Sequence, residues 1–171
     1  MVPAEPKEEL DSFVADLSRE DAIGSVIRAH IRLELLLNEL VDHLVPNPEH
    51  LTKLNLDYDE TITLGLAMGM SSEFGPPLRA MGKLRNAFAH RLDMALGTNE
   101  ATNLYKSMSH ALKEQIQDSF RRIRESNQSI QQFQRFSELP PGDQFKLTAA
   151  LLWTSFKVEV IRLKESGGAD A

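Results

Sequence analysis

The chain has 171 residues, 42% hydrophobic and 26% charged, which is typical of one folded domain and excludes a disordered chain. It contains no cysteine, which excludes disulfides, thiolate metal sites and a cysteine nucleophile. The formal net charge of −6 argues against direct binding to duplex DNA, because proteins that hold a nucleic-acid backbone usually present a basic face.

The sequence also bears on where the protein works. No stretch reaches the roughly 18 consecutive apolar residues of a membrane helix, and the Pro- and Glu-rich start does not resemble a signal peptide. We therefore expect a cytoplasmic protein without membrane contact. It is predicted to fold as a single domain over residues 1–171, with frayed ends at 1–7 and 166–171.

Apolar residues recur at helical spacing along the chain, and period-2 alternation is almost absent, so the sequence predicts an all-α fold. A short lead helix is predicted over residues 8–17. Ser18, followed three residues later by Asp21, resembles a capping box. It would start a long helix that Pro46 and Pro48 end.

This long helix carries two apolar stripes, which predict burial on more than one side. We interpret the pattern as part core and part dimer face. The first stripe is Ala22, Val26, Ala29, Leu33, Leu36, Leu40 and Leu44. The second is Ile23, Ile27, Ile31, Leu35 and Val41.

The rest of the chain predicts further helices. A third over residues 59–70 contains Gly65 and Gly69, whose spacing indicates close approach of another helix. Gly75-Pro76-Pro77 starts a fourth, Thr98 caps a long fifth that runs through Ile123, and residues 144–165 form the last. The predicted architecture is a single bundle of five to seven helices.

Most enzyme signatures are missing from the sequence. It has no Gly-rich phosphate loop, no Gly-x-Ser-x-Gly elbow and no His-Glu-x-x-His. No two histidines fall three or four residues apart on a shared predicted helix, so we predict neither a metal site nor a cofactor. The histidines are His30, His43, His50, His90 and His110.

One segment of the fourth helix is chemically distinctive, because it combines Arg85, Asn86 and His90. Asn86 and His90 are one helical turn apart, about 40° around the axis, and share a face. Arg85 and His90 are about 140° apart on a continuous helix. They converge only if the helix ends before His90, or if a two-fold dimer brings one protomer's Arg85 beside the other's His90.

These residue types suit phosphate chemistry. Arg85 offers a planar fork of donors, the His90 imidazole can exchange a proton at cellular pH, and Asn86 can orient either group. Metal-free RNA cleavage needs both a base and an acid, and a dimer would supply two histidines. The alternative is structural: the same side chains satisfy carbonyls at a helix end and pair with Glu34 or Asp93.

The segment Leu84-Arg85-Asn86-Ala87-Phe88-Ala89-His90 resembles the Arg-x4-6-His motif of HEPN domains. These are helical bundles that often dimerise and include metal-independent ribonucleases. The order of the segments 9–17, 62–70 and 84–90 is similar to the mannitol operon repressor family of the same HEPN-like group, over residues 8–97. The third helix opens with Asp57-Tyr58-Asp59-Glu60-Thr61 instead of the family's usual Phe-Ser-x-(Lys/Arg)-Ile entry, which marks a divergent member.

The resemblance implies an HEPN-like bundle and transcriptional regulation. Because the sequence has no helix-turn-helix with basic recognition residues, we expect regulation through a protein partner, self-association as a homodimer, or an effector. The alternative is a toxin-like endoribonuclease, in which Arg85 binds the scissile phosphate, Asn86 orients and His90 is the acid and base. RNA binding is expected only under this alternative, and the net negative charge of the chain argues against it.

Overall fold

The computed structural model describes residues 4–90 and 95–167, with side chains over 7–90 and 95–166. Across these ranges the chain is helical and has no strand, which confirms the predicted all-α bundle. The α-helices are α1 (Ala4–Arg19), α2 (Ala22–Leu44), α3 (Tyr58–Ala67), α4 (Gly75–His90), α5 (Thr98–Ser107), α6 (His110–Ser126) and α7 (Pro141–Gly167). Four short 3-10 helices, Pro48–Lys53, Ser72–Phe74, Gln128–Ile130 and Phe136–Glu138, bring the helical elements above the predicted five to seven.

α2 is the central helix of the bundle and packs against α1, α3, α4 and α7. Its inward face is apolar at helical spacing, and burying one leucine of this kind stabilises the fold by about 1.5–3 kcal/mol. This packing fixes how α2 is rotated about its axis. The buried apolar residues of the helix are Val26, Ala29, Leu33, Leu36, Leu37, Leu40 and Val41.

The second apolar stripe of α2 is mostly not buried within one chain, so its burial in a dimer face stays a prediction. Ile31 is 47% exposed and Leu35 is 60% exposed, while Ile27 is half-buried. The neighbouring helices all pack on the other side of α2. We call Ile27, Ile31 and Leu35, which succeed each other at one-turn intervals, the α2 strip.

The start of α2 differs from the predicted capping box. α1 continues to Arg19, so Ser18 lies inside a helix, where its hydroxyl donates to the Val14 carbonyl oxygen at 2.8 Å. Asp21 is the N-cap of α2, and its carboxylate accepts from the Gly24 amide at 2.7 Å. Such a cap satisfies one of the unpaired amides of the first turn.

The glycines of α3 serve a different role from the one predicted. α3 ends at Ala67, and Gly69 follows it with a φ of 109°, a conformation that favours glycine at the end of a helix. The closest approach in this region is at Gly82 of α4, where a Cβ atom would lie 2.9 Å from Cδ1 of Tyr58. The α4 backbone therefore lies against the Tyr58 ring.

The long fifth helix predicted after Gly97 is two helices. α5 ends at Ser107, and the Ser109 hydroxyl caps α6 by accepting from the Leu112 amide at 3.2 Å. The same hydroxyl donates to the Glu73 carboxylate at 2.8 Å, which links this break to the turn before α4. No helix within the described ranges is long and apolar enough to cross a membrane.

A buried carboxylate ties the turn after α3 to α7. Glu159, whose side chain is 8% exposed, accepts from the Ser71 amide at 2.9 Å and from two nitrogens of Arg162 at 2.9 Å. The hydrogen bond from Arg162 and then the one from Ser71 hold the pKa of Glu159 below its ordinary value, against the opposing effect of burial. The ionised carboxylate is therefore a stabilising tether.

Replacing this tether should lower stability in a pH-dependent way. Glu159→Ala leaves the Ser71 amide unpaired and should lower the free energy of unfolding by about 1–3 kcal/mol near neutral pH. Because the folded pKa lies below the unfolded one, this contribution is present above the unfolded pKa and is lost as the pH falls through the folded pKa.

Urea denaturation of both proteins at neutral and acidic pH measures the difference. Glu165→Ala, an exposed carboxylate on the same helix, is the control and should change stability by less than about 0.5 kcal/mol. Equal losses in the two variants, or a Glu159→Ala deficit that persists unchanged in acid, would show that the carboxylate is not a tether.

Candidate functional site

A cavity of about 470 Å³ opens between α2, the start of α3 and α4. This volume lies within the range of small-molecule sites in proteins. The cavity is lined by charged and aromatic side chains, among them His30 and Glu34 of α2, Tyr58 of α3, and Arg85 and Asn86 of α4. It is the place where the chemically distinctive segment of α4 meets the central helix.

The inner wall of the cavity contains a pair of aromatic rings. The His30 side chain is 3% exposed, and its ring centroid lies 4.4 Å from that of Tyr58 with the planes tilted by 48°. Gly82 makes room for the Tyr58 ring, because any larger residue would contact it. The Tyr58 hydroxyl is buried and finds no hydrogen-bond partner among the described side chains and backbone.

Both rings are held in their neutral forms. Burial, and to a lesser extent the positive charge of Arg85, together lower the pKa of His30 to about 4. Burial also raises the pKa of Tyr58, with a second contribution from the negative charge of Glu34. The Glu34 carboxylate oxygen lies 3.6 Å from Nδ1 of His30, too far for a good hydrogen bond, and its side chain is 38% exposed.

The charges that line the cavity fall into two groups. Arg79 is occupied, since it donates to the Asp59 carboxylate at 2.7 Å and to the Thr63 hydroxyl at 2.8 Å. Arg85 donates to the neutral amide oxygen of Asn86 at 2.8 Å. Within the described part of the chain, no carboxylate lies within the 4.0 Å ion-pair distance of Arg85. Arg85 and Glu34 therefore share one cavity without neutralising each other.

The structure separates the residues of the predicted motif. α4 is a continuous helix through His90, so the first of the two arrangements that would bring Arg85 and His90 together, a helix that ends before His90, does not occur. Arg85 is half-buried and, with Asn86, lines the cavity, whereas His90 is exposed at the helix end and does not line it. Arg85 and His90 do not converge in one chain, because five residues of helix turn them about 140° apart.

The sequence predicts two acids that pair with the motif, Glu34 and Asp93, and the structure describes only Glu34. Glu34 lies in the same cavity as Arg85, but the predicted ion pair between them is not formed. Asp93 lies outside the described residues. Sequence reasoning missed His30 and Tyr58 as site residues. The available signal was that His30 falls on the buried face of α2, between Val26 and Leu33, where a polar ring needs an explanation.

Comparison with protein-family models, with curated proteins and with solved structures found no match. Among the described residues, no group of three or more His, Asp or Glu side chains is arranged to hold a metal ion. The similarity to the mannitol operon repressor family thus stays a prediction from the sequence.

The effect of the Arg85 charge should be measurable as a change in the pKa of His30. Arg85→Met removes the positive charge that helps to keep His30 neutral, so the pKa of His30 should rise from about 4 while burial keeps it below the ordinary value of 6.5. Titration of the His30 ring protons by NMR, assigned with a His30→Gln variant, gives this pKa directly.

The matched control is Lys83→Met, which removes another cation that lines the cavity from the same helix. This variant should leave the pKa of His30 unchanged, because Lys83 is exposed and water screens its charge. A wild-type His30 that titrates near 6.5, or equal shifts in both variants, would contradict the arrangement described above.

Proposed function

We propose that the chain is a non-enzymatic regulatory module, of the kind that the mannitol operon repressor family represents, which acts through protein or effector contacts. The observation that carries this proposal is the α2 strip beside the cavity. Ile31 and Leu35 are large apolar side chains that are about half exposed or more, at 47% and 60%, and Ile31 lies about one turn from Glu34 at the cavity. Exposed apolar patches of this kind usually mark an interaction surface.

A second copy of the chain is the partner that we favour for this surface. Ile27, Ile31 and Leu35 repeat at one-turn intervals, so two antiparallel copies of α2 can bury the same side chains against each other across a two-fold axis. Each exposed leucine or isoleucine buried in this way contributes up to about 1.5–3 kcal/mol. A regulator that works by self-association needs no basic face for nucleic acid, in keeping with the net charge of −6.

The separation of Arg85 from His90 supports a non-enzymatic role. A ribonuclease site in one protomer needs the guanidinium and the imidazole to reach the same phosphate. Arg85 lines the cavity and His90 does not. In one protomer, Arg85 is therefore better suited to contacting a ligand than to assisting His90.

One observation favours the alternative, an HEPN-type endoribonuclease. Asn86 and His90 are both exposed on α4, and a dimer could bring the His90 imidazole of one copy to the Arg85 of the other. This alternative therefore also depends on a dimer, and it adds RNA cleavage without a metal.

The first test is the oligomeric state. By analytical ultracentrifugation, the wild-type protein should be a dimer at micromolar concentration, and Leu35→Glu should shift it to a monomer with unchanged helical circular dichroism. Val158→Glu, a similarly exposed apolar residue on α7, is the control and should remain dimeric. A monomeric wild type, or a Leu35→Glu protein that still dimerises, would overturn self-association through the α2 strip.

The second test is incubation of the wild-type protein with labelled RNA in EDTA, beside an Arg85→Ala/His90→Ala double variant. The regulatory proposal predicts that neither protein cleaves RNA. Cleavage by the wild type that the double variant loses would replace the proposal with the ribonuclease.

A further inference from the structure

The Arg85 and Glu34 side chains give the cavity two opposite charges, and neither forms an ion pair with a charged partner among the residues that the structure describes. The only ion-pair contact of Glu34 within the described residues is the His30 ring, which is neutral at cellular pH. Arg85 contacts the neutral Asn86 amide. In protein cavities, opposite charges that line the same space usually pair with each other or with a ligand.

Three of the other charged residues that line the cavity already make structural contacts. Asp57 caps α3, where its carboxylate accepts from the Glu60 amide at 2.8 Å, and Asp59 is paired with Arg79. Lys83 lines the cavity too but is exposed, so solvent screens its charge. Of the charged residues that line the cavity within the described ranges, the Arg85 guanidinium and the Glu34 carboxylate therefore remain for a ligand.

The aromatic pair shows how each charge lies relative to the inner wall. The charge of Arg85 acts on His30 and the charge of Glu34 acts on Tyr58, and the two rings are in contact with each other. The Glu34 carboxylate lies 3.6 Å from the His30 ring and Arg85 lines the same cavity, and the two charges form no ion pair with each other. A ligand with only a negative group would be attracted by Arg85 but repelled by Glu34. A ligand with only a positive group would be attracted by Glu34 but repelled by Arg85.

From this arrangement we infer that the cavity binds a small zwitterion of the amino-acid class, with its acidic group on Arg85 and its ammonium on Glu34. The planar fork of the guanidinium matches the two oxygens of a carboxylate. The carboxylate of Glu34 accepts from the ammonium. The inference deepens the proposed function, because it rests on the effector contact of the regulatory module and names the effector's chemistry.

The test is isothermal titration calorimetry of the full chain, near neutral pH and at low salt, with the standard amino acids. β-Alanine and γ-aminobutyrate vary the distance between the two charges, and phosphoethanolamine replaces the carboxylate by a phosphate. At least one zwitterion should bind. The matching single-charge molecules, a carboxylate without the amine and an amine without the carboxylate, should bind at least about tenfold more weakly.

Variants assign the binding to the two charges. Arg85→Met and Glu34→Gln should each weaken binding at least about tenfold. Lys106→Met, which removes an exposed cation of α5 that does not line the cavity, should change binding by less than about threefold. Circular dichroism verifies that each variant is folded, and Arg85→Gln or Glu34→Ala replaces one that is not. In the wild type, the bound acidic group should also raise the pKa of His30, which the NMR titration follows.

Two results would overturn the inference. One is that no zwitterion in the series binds at millimolar concentration. The other is that inorganic phosphate binds as tightly as any zwitterion and Glu34→Gln strengthens it, which defines a simple anion site. Because ligand binding is measured apart from ultracentrifugation and RNA cleavage, its failure leaves self-association untouched, and a monomeric wild type leaves the zwitterion site untouched.

Discussion

The burial of one face of α2 is the constraint on which the rest of the structure depends. Leu33, Leu37 and Leu40 are fully buried, and α1, α3, α4 and α7 all pack against this helix. A rotation of α2 by one residue position, 100° about its axis, would expose several of these side chains at about 1.5–3 kcal/mol each. The rotation is therefore fixed, and with it the direction of every other side chain of the helix.

The fixed rotation decides what the polar residues of α2 can do. His30 falls on the inner side of the helix, where burial keeps its ring neutral. Glu34, one turn later, falls at the edge of the cavity and keeps part of its carboxylate in water. Ile31 and Leu35 are left outside. A single packing constraint thus creates both the polar cavity and the apolar strip beside it.

α4 forms the other wall of the cavity, through the close approach of its backbone at Gly82 and the charged side chain of Arg85. Gly82 allows the helix to approach the Tyr58 ring, which a side chain at that position would prevent. Arg85, nearly one turn further on, then reaches the same cavity. His90 follows five residues after Arg85 on the same unbroken helix and faces elsewhere. Two residues that look like a pair in the sequence therefore belong to different surfaces of one chain.

Much of the fold could be predicted from the spacing of apolar residues, whereas the site could not. The stop of α2 before Pro46 was predictable because proline removes a backbone donor. The break between α5 and α6 was not, because Leu104, Met108 and Leu112 keep helical spacing across it, and the cap by Ser109 involves a contact with the distant Glu73. The cavity joins residues of three helices, and only the tertiary packing brings His30, Tyr58 and Arg85 together.

The central claim, that the packing of α2 places His30 inside the bundle, is tested most directly by histidine modification. Diethyl pyrocarbonate reacts with the neutral, accessible imidazole, and mass spectrometry gives the rate for each histidine. Since His30 is neutral near pH 7, only burial can protect it, and it should react at least about tenfold more slowly than the exposed His43 and His110, and become reactive on unfolding. A His30 that reacts as fast as His43 in the folded protein would contradict the account.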